Sequence, residues 1–206
     1  VLRHPDGVLS AVWNESATRV LTACRDGVVR LWDVGGELLR EFRKNSSVFV
    51  WQALFSPDES QVLAACPDQG ALLWSTNGER IRLFAHEDVR RATFSSDGQH
   101  VLTASLDQSV KLWRTDGNLV QTHAPPDVPG AADRSFHRRV AALMSAGFSP
   151  DGSRYVTIAH GQARLHDLDG GVIPLHEDGQ RLATCAAFAP GTDVVVVGTE
   201  SGRARA

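Results

Sequence analysis

No apolar run in this sequence approaches the roughly 20 residues that a helix needs to span a bilayer, and its opening, Val1-Leu2-Arg3-His4, lacks the apolar core of a signal peptide. No membrane role is therefore expected. Cysteine is scarce: Cys24, Cys66 and Cys185 are odd in number, have no zinc-ligand spacing and sit in apolar or strand-like surroundings. That excludes a disulfide framework and points to buried free thiols in a reducing, cytoplasmic compartment. Lysine is scarcer still, since Lys44 and Lys111 are the only lysines among 21 basic residues; an arginine bias of this kind suggests a GC-rich, bacterial genome. The 24 acids outnumber the bases and leave a net charge of -3, which removes the simplest case for nucleic acid, whose binders are usually basic. There is no P-loop, no G-x-G-x-x-G cradle and no G-x-S-x-G elbow, so no cofactor is expected.

What the sequence has in quantity is repetition. Residues 22–33 read TACRDGVVRLWD and residues 103–114 read TASLDQSVKLWR, while Trp32, Trp74 and Trp113 are spaced 42 and 39 apart. Around each tryptophan the same features recur in the same order, in units of about forty residues. Each unit opens with an apolar run ending in an aromatic residue: VLSAVW (8–13), VFVWQALF (48–55), VRRATF (89–94), LMSAGF (143–148) and LATCAAF (182–188). A turn phrase follows, such as SPDE, SSDG or SPDG, whose Pro, Asp and Gly supply turn angles and side-chain caps. Next come a second strand, a turn carrying Asp26, Asp68, Asp107 or Glu200, a third strand ending near Trp, and a short fourth strand.

Four short strands per unit make one antiparallel sheet, and such sheets cover their apolar faces only by stacking on one another. The predicted fold is all-β, a β-propeller of four-stranded antiparallel blades over 4–43, 44–84, 85–123, 137–176 and an incomplete 177–206. An insertion spans 123–139. Two arrangements follow: a five-bladed ring closed by a short N-terminal strand, or a segment of a larger propeller. The absent initiator Met and the abrupt end favour the segment.

These features resemble the WD40-repeat family over essentially the whole chain, and a propeller commonly of seven blades is what the resemblance implies. In that family a His, a Ser or Thr, an Asp and a Trp form a hydrogen-bonded tetrad. The matching residues are His4, Thr22, Asp26 and Trp32 in the first copy, and His86, Thr103, Asp107 and Trp113 in the third. The second copy keeps Asp68 and Trp74 but has Ala64 at the Thr position and no upstream His; the fourth keeps Thr157 but places His166 where Trp belongs. Those two blades are expected to be tied less tightly.

Candidate chemistry is sparse. Asp133, Ser135 and His137 lie together in sequence, but a triad is defined by spatial roles rather than adjacency. His160, His166 and His176 match no zinc motif, and Arg134, Arg138 and Arg139 form the best basic cluster. The stronger candidates are binding positions. The prolines and small residues of 123–139 suggest a projecting loop that includes Arg138 and Arg139. The resemblance also implies that the openings of the first strands, here Leu9, Trp51, Arg90 with its neighbour Arg91, and Met144, face the ring surface that captures partners. The residues before the turn acids, Arg25, Pro67 and Leu106, belong to the same surface. Aromatic, Met and Arg groups have the composition of interface anchors; packing of Trp51 and Met144 between blades is the alternative. The expected function is a non-enzymatic scaffold or sensor that binds a protein partner or another domain of its own chain, with membrane and nucleic acid not expected. An enzyme with a site in the channel or the insertion, or a nucleic-acid-binding propeller, is the competing class.

Overall fold

The computed structural model describes residues 1–107, 109–123, 146–159, 161–175, 183–199 and 204–205. No helix occurs among them. Apolar residues alternate over short runs between turns rich in Asp, Gly, Ser and Pro, and this pattern folds as antiparallel strands. The first sheet is β1 (Val8–Trp13), β2 (Arg19–Cys24), β3 (Val28–Asp33) and β4 (Leu38–Arg43). The second is β5 (Gln52–Phe55), β6 (Gln61–Cys66), β7 (Gly70–Ser75) and β8 (Arg80–Ala85). The third is β9 (Val89–Phe94), β10 (His100–Ser105), β11 (Val110–Arg114) and β12 (Leu119–His123), and the fourth β13 (Ala146–Phe148), β14 (Arg154–Ala159), β15 (Gln162–Asp167) and β16 (Val172–Pro174). The fifth has three strands among the described residues, β17 (Ala183–Phe188), β18 (Val195–Thr199) and β19 (Ala204–Arg205). Every sheet is a meander in chain order, which is the organisation of propeller blades.

The chain divides into two compact units, Val1–Ala92 and Thr93–Ala206. In the first, Leu21, Leu31 and Phe42 of one sheet pack on Val62, Leu72 and Trp74 of the next, with Val50 and Ala53 between them. In the second, Leu102, Val110 and Leu112 pack against Tyr155, and Ile158 and Ala163 against Ala183 and Val197. Sheet-on-sheet burial therefore supplies the core of each unit, since among the described residues no helix covers a sheet.

The first hairpin turn of each of the first four blades has a repeated cap. Ser56, Ser95 and Ser149 are buried, and each donates its hydroxyl to Asp58, Asp97 or Asp151 two residues on, while accepting the backbone N–H of Gln61, His100 or Arg154 at 2.9 Å. Hydrogen bonds from the serines outweigh burial and hold all three carboxyls below their ordinary range, Asp151 at about 2. In the first blade Asn14 takes the serine position and accepts from the amides of Thr18 and Arg19.

Two expectations change. β5 begins at Gln52 rather than 48, because the Val50 amide donates to Cys24 O of the preceding sheet at 3.2 Å and holds this stretch out of its own ladder. The cysteines are free thiols, but only Cys24 and Cys66 are buried; Cys185 is exposed. Burial pushes the Cys66 thiol up to about 12.

Candidate functional site

The candidate residues fall into those that tie blades together and those that the sequence marks as candidates for a partner surface. In the first copy Thr22 Oγ1 lies 2.8 Å from His4 Nε2 and accepts the Trp32 Nε1–H at 2.9 Å, while the His4 ring meets Trp32 edge-on at 5.1 Å. A buried indole N–H needs an acceptor, and the threonine hydroxyl supplies one. Asp26 is engaged elsewhere: among the described residues it accepts from Arg30 at 2.6 Å and from the Val28 amide at 3.0 Å, rather than from His4. Arg30 is buried and also bonds Glu41 at 2.9 Å. Burial works against the Asp26 charge, but the bonds from Arg30 and Val28 outweigh it and hold the carboxyl below its ordinary range. In the third copy Trp113 Nε1 donates to Thr103 Oγ1 at 2.9 Å, Asp107 accepts from the Ser109 amide and hydroxyl, and His86 is buried.

The second and fourth copies have substitutes for the missing groups. Lys44, whose side chain is fully buried, places its Nζ 2.7 Å from Asp68, and Ser46 bonds both of them. An ammonium thus ties the loop to the second blade, and the loose blade expected from the missing histidine is corrected. In the fourth blade His166 Nε2 meets Thr157 Oγ1 at 2.8 Å, so the imidazole makes the bond that indole makes elsewhere. Its ring stacks on Tyr155 at 4.8 Å, and His123 lies against it at 4.0 Å. The ladder shifts register at Trp32, Trp74 and Trp113, whereas at His166 it runs on without a shift. The bulge therefore accompanies the larger ring.

Partner-facing candidates gather in the first unit. The openings of the first strands of the second and third blades are each bonded to the preceding blade near its second turn, Val50 N–H to Cys24 O at 3.2 Å and Asp88 N–H to Pro67 O at 2.9 Å. Arg25 and Trp51 flank the first of these bonds, and Arg90 lies two residues beyond the second. The Arg90 guanidinium stacks over the Trp51 ring at 4.0 Å, and Phe49 meets Trp51 edge-on at 4.6 Å. Trp51, Arg90 and Leu9 are half-buried, whereas Arg25 and Arg91 are exposed. Burial lowers the Arg90 guanidinium from its ordinary value, and the charge of Asp88 opposes that. Phe49 and Gln52 went unnoticed in the sequence because they read as ordinary strand residues. Leu106 is half-buried at the second turn of the third sheet, in the other unit.

Several candidates lie outside the described residues: Met144, Arg134, Arg138, Arg139, Asp133, Ser135, His137, His160, His176, Glu200 and the 124–139 part of the insertion. Among the described residues no group of three or more His, Cys, Asp or Glu is placed to hold a metal ion, and no helix is long and apolar enough to cross a membrane.

The blade meander, the Thr–Trp bonds and the recurring capped turns coincide with what comparison finds. Two segments match a WD-repeat family. The family is that of the WD domain, G-beta repeat, and its model matches residues 1–33 and 78–114. These are the stretches that carry His4, Thr22, Asp26 and Trp32, and His86, Thr103, Asp107 and Trp113. The matches support a WD-repeat family, whose repeats generally mediate protein–protein interaction or scaffolding. No curated protein matches the chain.

Proposed function

We propose that this chain is a non-enzymatic WD-repeat module that captures a protein partner, or another domain of its own chain, on the surface around Arg25, Trp51 and Arg90. The observation that carries this reading is the Arg90–Trp51 stack, half-exposed at the openings of consecutive first strands. Stacked aromatic and guanidinium groups on a rigid scaffold lose little conformational entropy on binding, and Trp and Arg dominate binding hot spots. Strand openings fixed by backbone bonds supply that rigidity. In the same reading the chain is a stretch of a larger propeller in a bacterial cytoplasmic protein, where it serves as the scaffold or sensor of a signalling or defence assembly. Leu9, half-buried at the opening of the first strand, belongs to the same surface in this reading.

The test is selection of binders to the native chain from a random peptide display library. Peptides that enrich on the native chain should lose at least tenfold in affinity for a Trp51→Ala, Arg90→Ala double variant whose thermal unfolding is unchanged, the loss expected for two anchor residues. Binders indifferent to both substitutions would overturn this site assignment.

A further inference from the structure

The stack of Trp51 and Arg90 carries polar atoms that the fold buries without partners. They are the indole Nε1 of Trp51, the guanidinium Nε of Arg90 and, at the next position along the chain from the indole, Oε1 of Gln52. Two of these are donors, and a buried donor with no acceptor is costly enough that folded chains seldom keep one. Two donors, one of them on a guanidinium, call for an anionic oxygen ligand. A cation offers no acceptor, and a neutral amide oxygen brings no charge to match the guanidinium.

We infer that the Trp51–Arg90 stack seats the carboxylate of an Asp or Glu side chain in an acidic peptide segment of the partner. Arg90 presents its planar donors edge-on because Trp51 covers one face of the guanidinium at 4.0 Å and Phe49 in turn braces the indole at 4.6 Å. That arrangement fixes the fork in the orientation in which guanidinium groups bind carboxylates. The indole that carries the second donor lies on the face of the same guanidinium, its ring centroid 4.0 Å from Cζ. Exposed Arg25 and Arg91 add positive charge to the approach. Asp88 acts on the Arg90 charge at longer range, yet it leaves Nε unpartnered, and its own amide is committed to Pro67. Gln52 Oε1 is an acceptor, suited to a backbone N–H of the same segment.

This inference rests on the binding surface proposed above, and its test separates the two. The full chain, labelled with 15N, is titrated at low salt with hexaglutamate, with hexaglutamine, and with a phosphoserine–glycine peptide of equal length. Trp51→Phe and Arg90→Lys identify the two side-chain resonances. Hexaglutamate should shift the Trp51 indole and Arg90 Nε signals, hexaglutamine should leave both in place, and Arg90→Lys should weaken hexaglutamate binding by about tenfold while retaining the charge. Unmoved signals, equal shifts with hexaglutamine, tighter binding of the phosphoserine peptide, or undiminished affinity in Arg90→Lys would each overturn the carboxylate assignment. If display-selected peptides still depend on Trp51 and Arg90 in that event, the surface stands and only its acidic ligand falls; if they ignore both residues, the surface itself falls.

Discussion

At the scale of single residues, the same structural task is done by different chemistry in different blades. Thr22 meets His4 and Trp32 through one hydroxyl, whereas the second blade, with Ala64 in the threonine position, relies on Lys44 bound to Asp68. The ammonium is fully buried and the carboxylate is only 21% exposed, so the pair is far from the solvated ion pairs that contribute little. Burial raises the Asp68 carboxyl, but the bonds from Lys44 and Ser46 outweigh it and keep the acid below its ordinary range. Lys44→Met keeps the stem volume and removes the charge, leaving Asp68 with Ser46 alone. The variant should lose about 2–3 kcal/mol, somewhat under the usual cost of breaking a fully buried pair because Asp68 keeps some water. Denaturant unfolding measures this; an unchanged midpoint would mean that the pair does not tie the loop.

At the scale of elements, the turns show how far local chemistry is settled by pattern. The phrases SPDE, SSDG and SPDG were legible as capped turns because Ser and Asp are spaced to bond each other and the returning strand. The residue three after the cap lies in the left-handed region: Gly98 at φ 69° and Gly152 at φ 75°, but Ala17 at φ 53° and Glu59 at φ 58°. Glu59 is compensated by its bonds to Asn14, Ser16 and Arg19. Ala17 is exposed and has no side chain to do the same. Left-handed backbone costs an L-residue about 1–2 kcal/mol, and glycine returns part of that gain, about 0.4–1 kcal/mol, through its freer unfolded chain. Ala17→Gly should therefore stabilise the first unit by about 0.5–1 kcal/mol, seen as a higher denaturant midpoint with an unchanged slope. A lower midpoint would show that unfolded-state entropy prevails at this turn.

Across the whole molecule, the forty-residue period, the sheet order and the Thr–Trp bonds were readable from sequence, because Trp, Thr and turn acids recur at fixed intervals. Lys44, Arg30 and the unpaired atoms of Trp51 and Arg90 were not, since a lone basic residue reads as surface charge until a fold buries it. His166 was legible as a residue in a tryptophan slot, but its stack with Tyr155 and His123 depends on which strands adjoin. That stack sets a pH response particular to the second unit. Burial lowers the His166 imidazole to about 3 from an ordinary 6.5, and burial lowers His123 in the same direction. The unfolded chain therefore binds these protons more readily than the folded one. Their contribution is fully present above about pH 6.5 and is lost as pH falls from there toward the folded value. In the first unit the shifted acids Asp26, Glu41, Asp58, Glu59 and Asp68 all lie below their ordinary values, so the stability those acids contribute falls only once pH drops through the ordinary carboxylate range near 4. Between pH 6.5 and 4.5, amide hydrogen exchange corrected for intrinsic rates should lose protection in β14 and β15 while β2, β3, β6 and β7 keep theirs. His166→Trp should shrink that difference, since indole does not titrate, Thr157 remains to accept its N–H and only His123 is left to respond; equal loss in both units, or a difference undiminished by the substitution, would remove His166 as its cause.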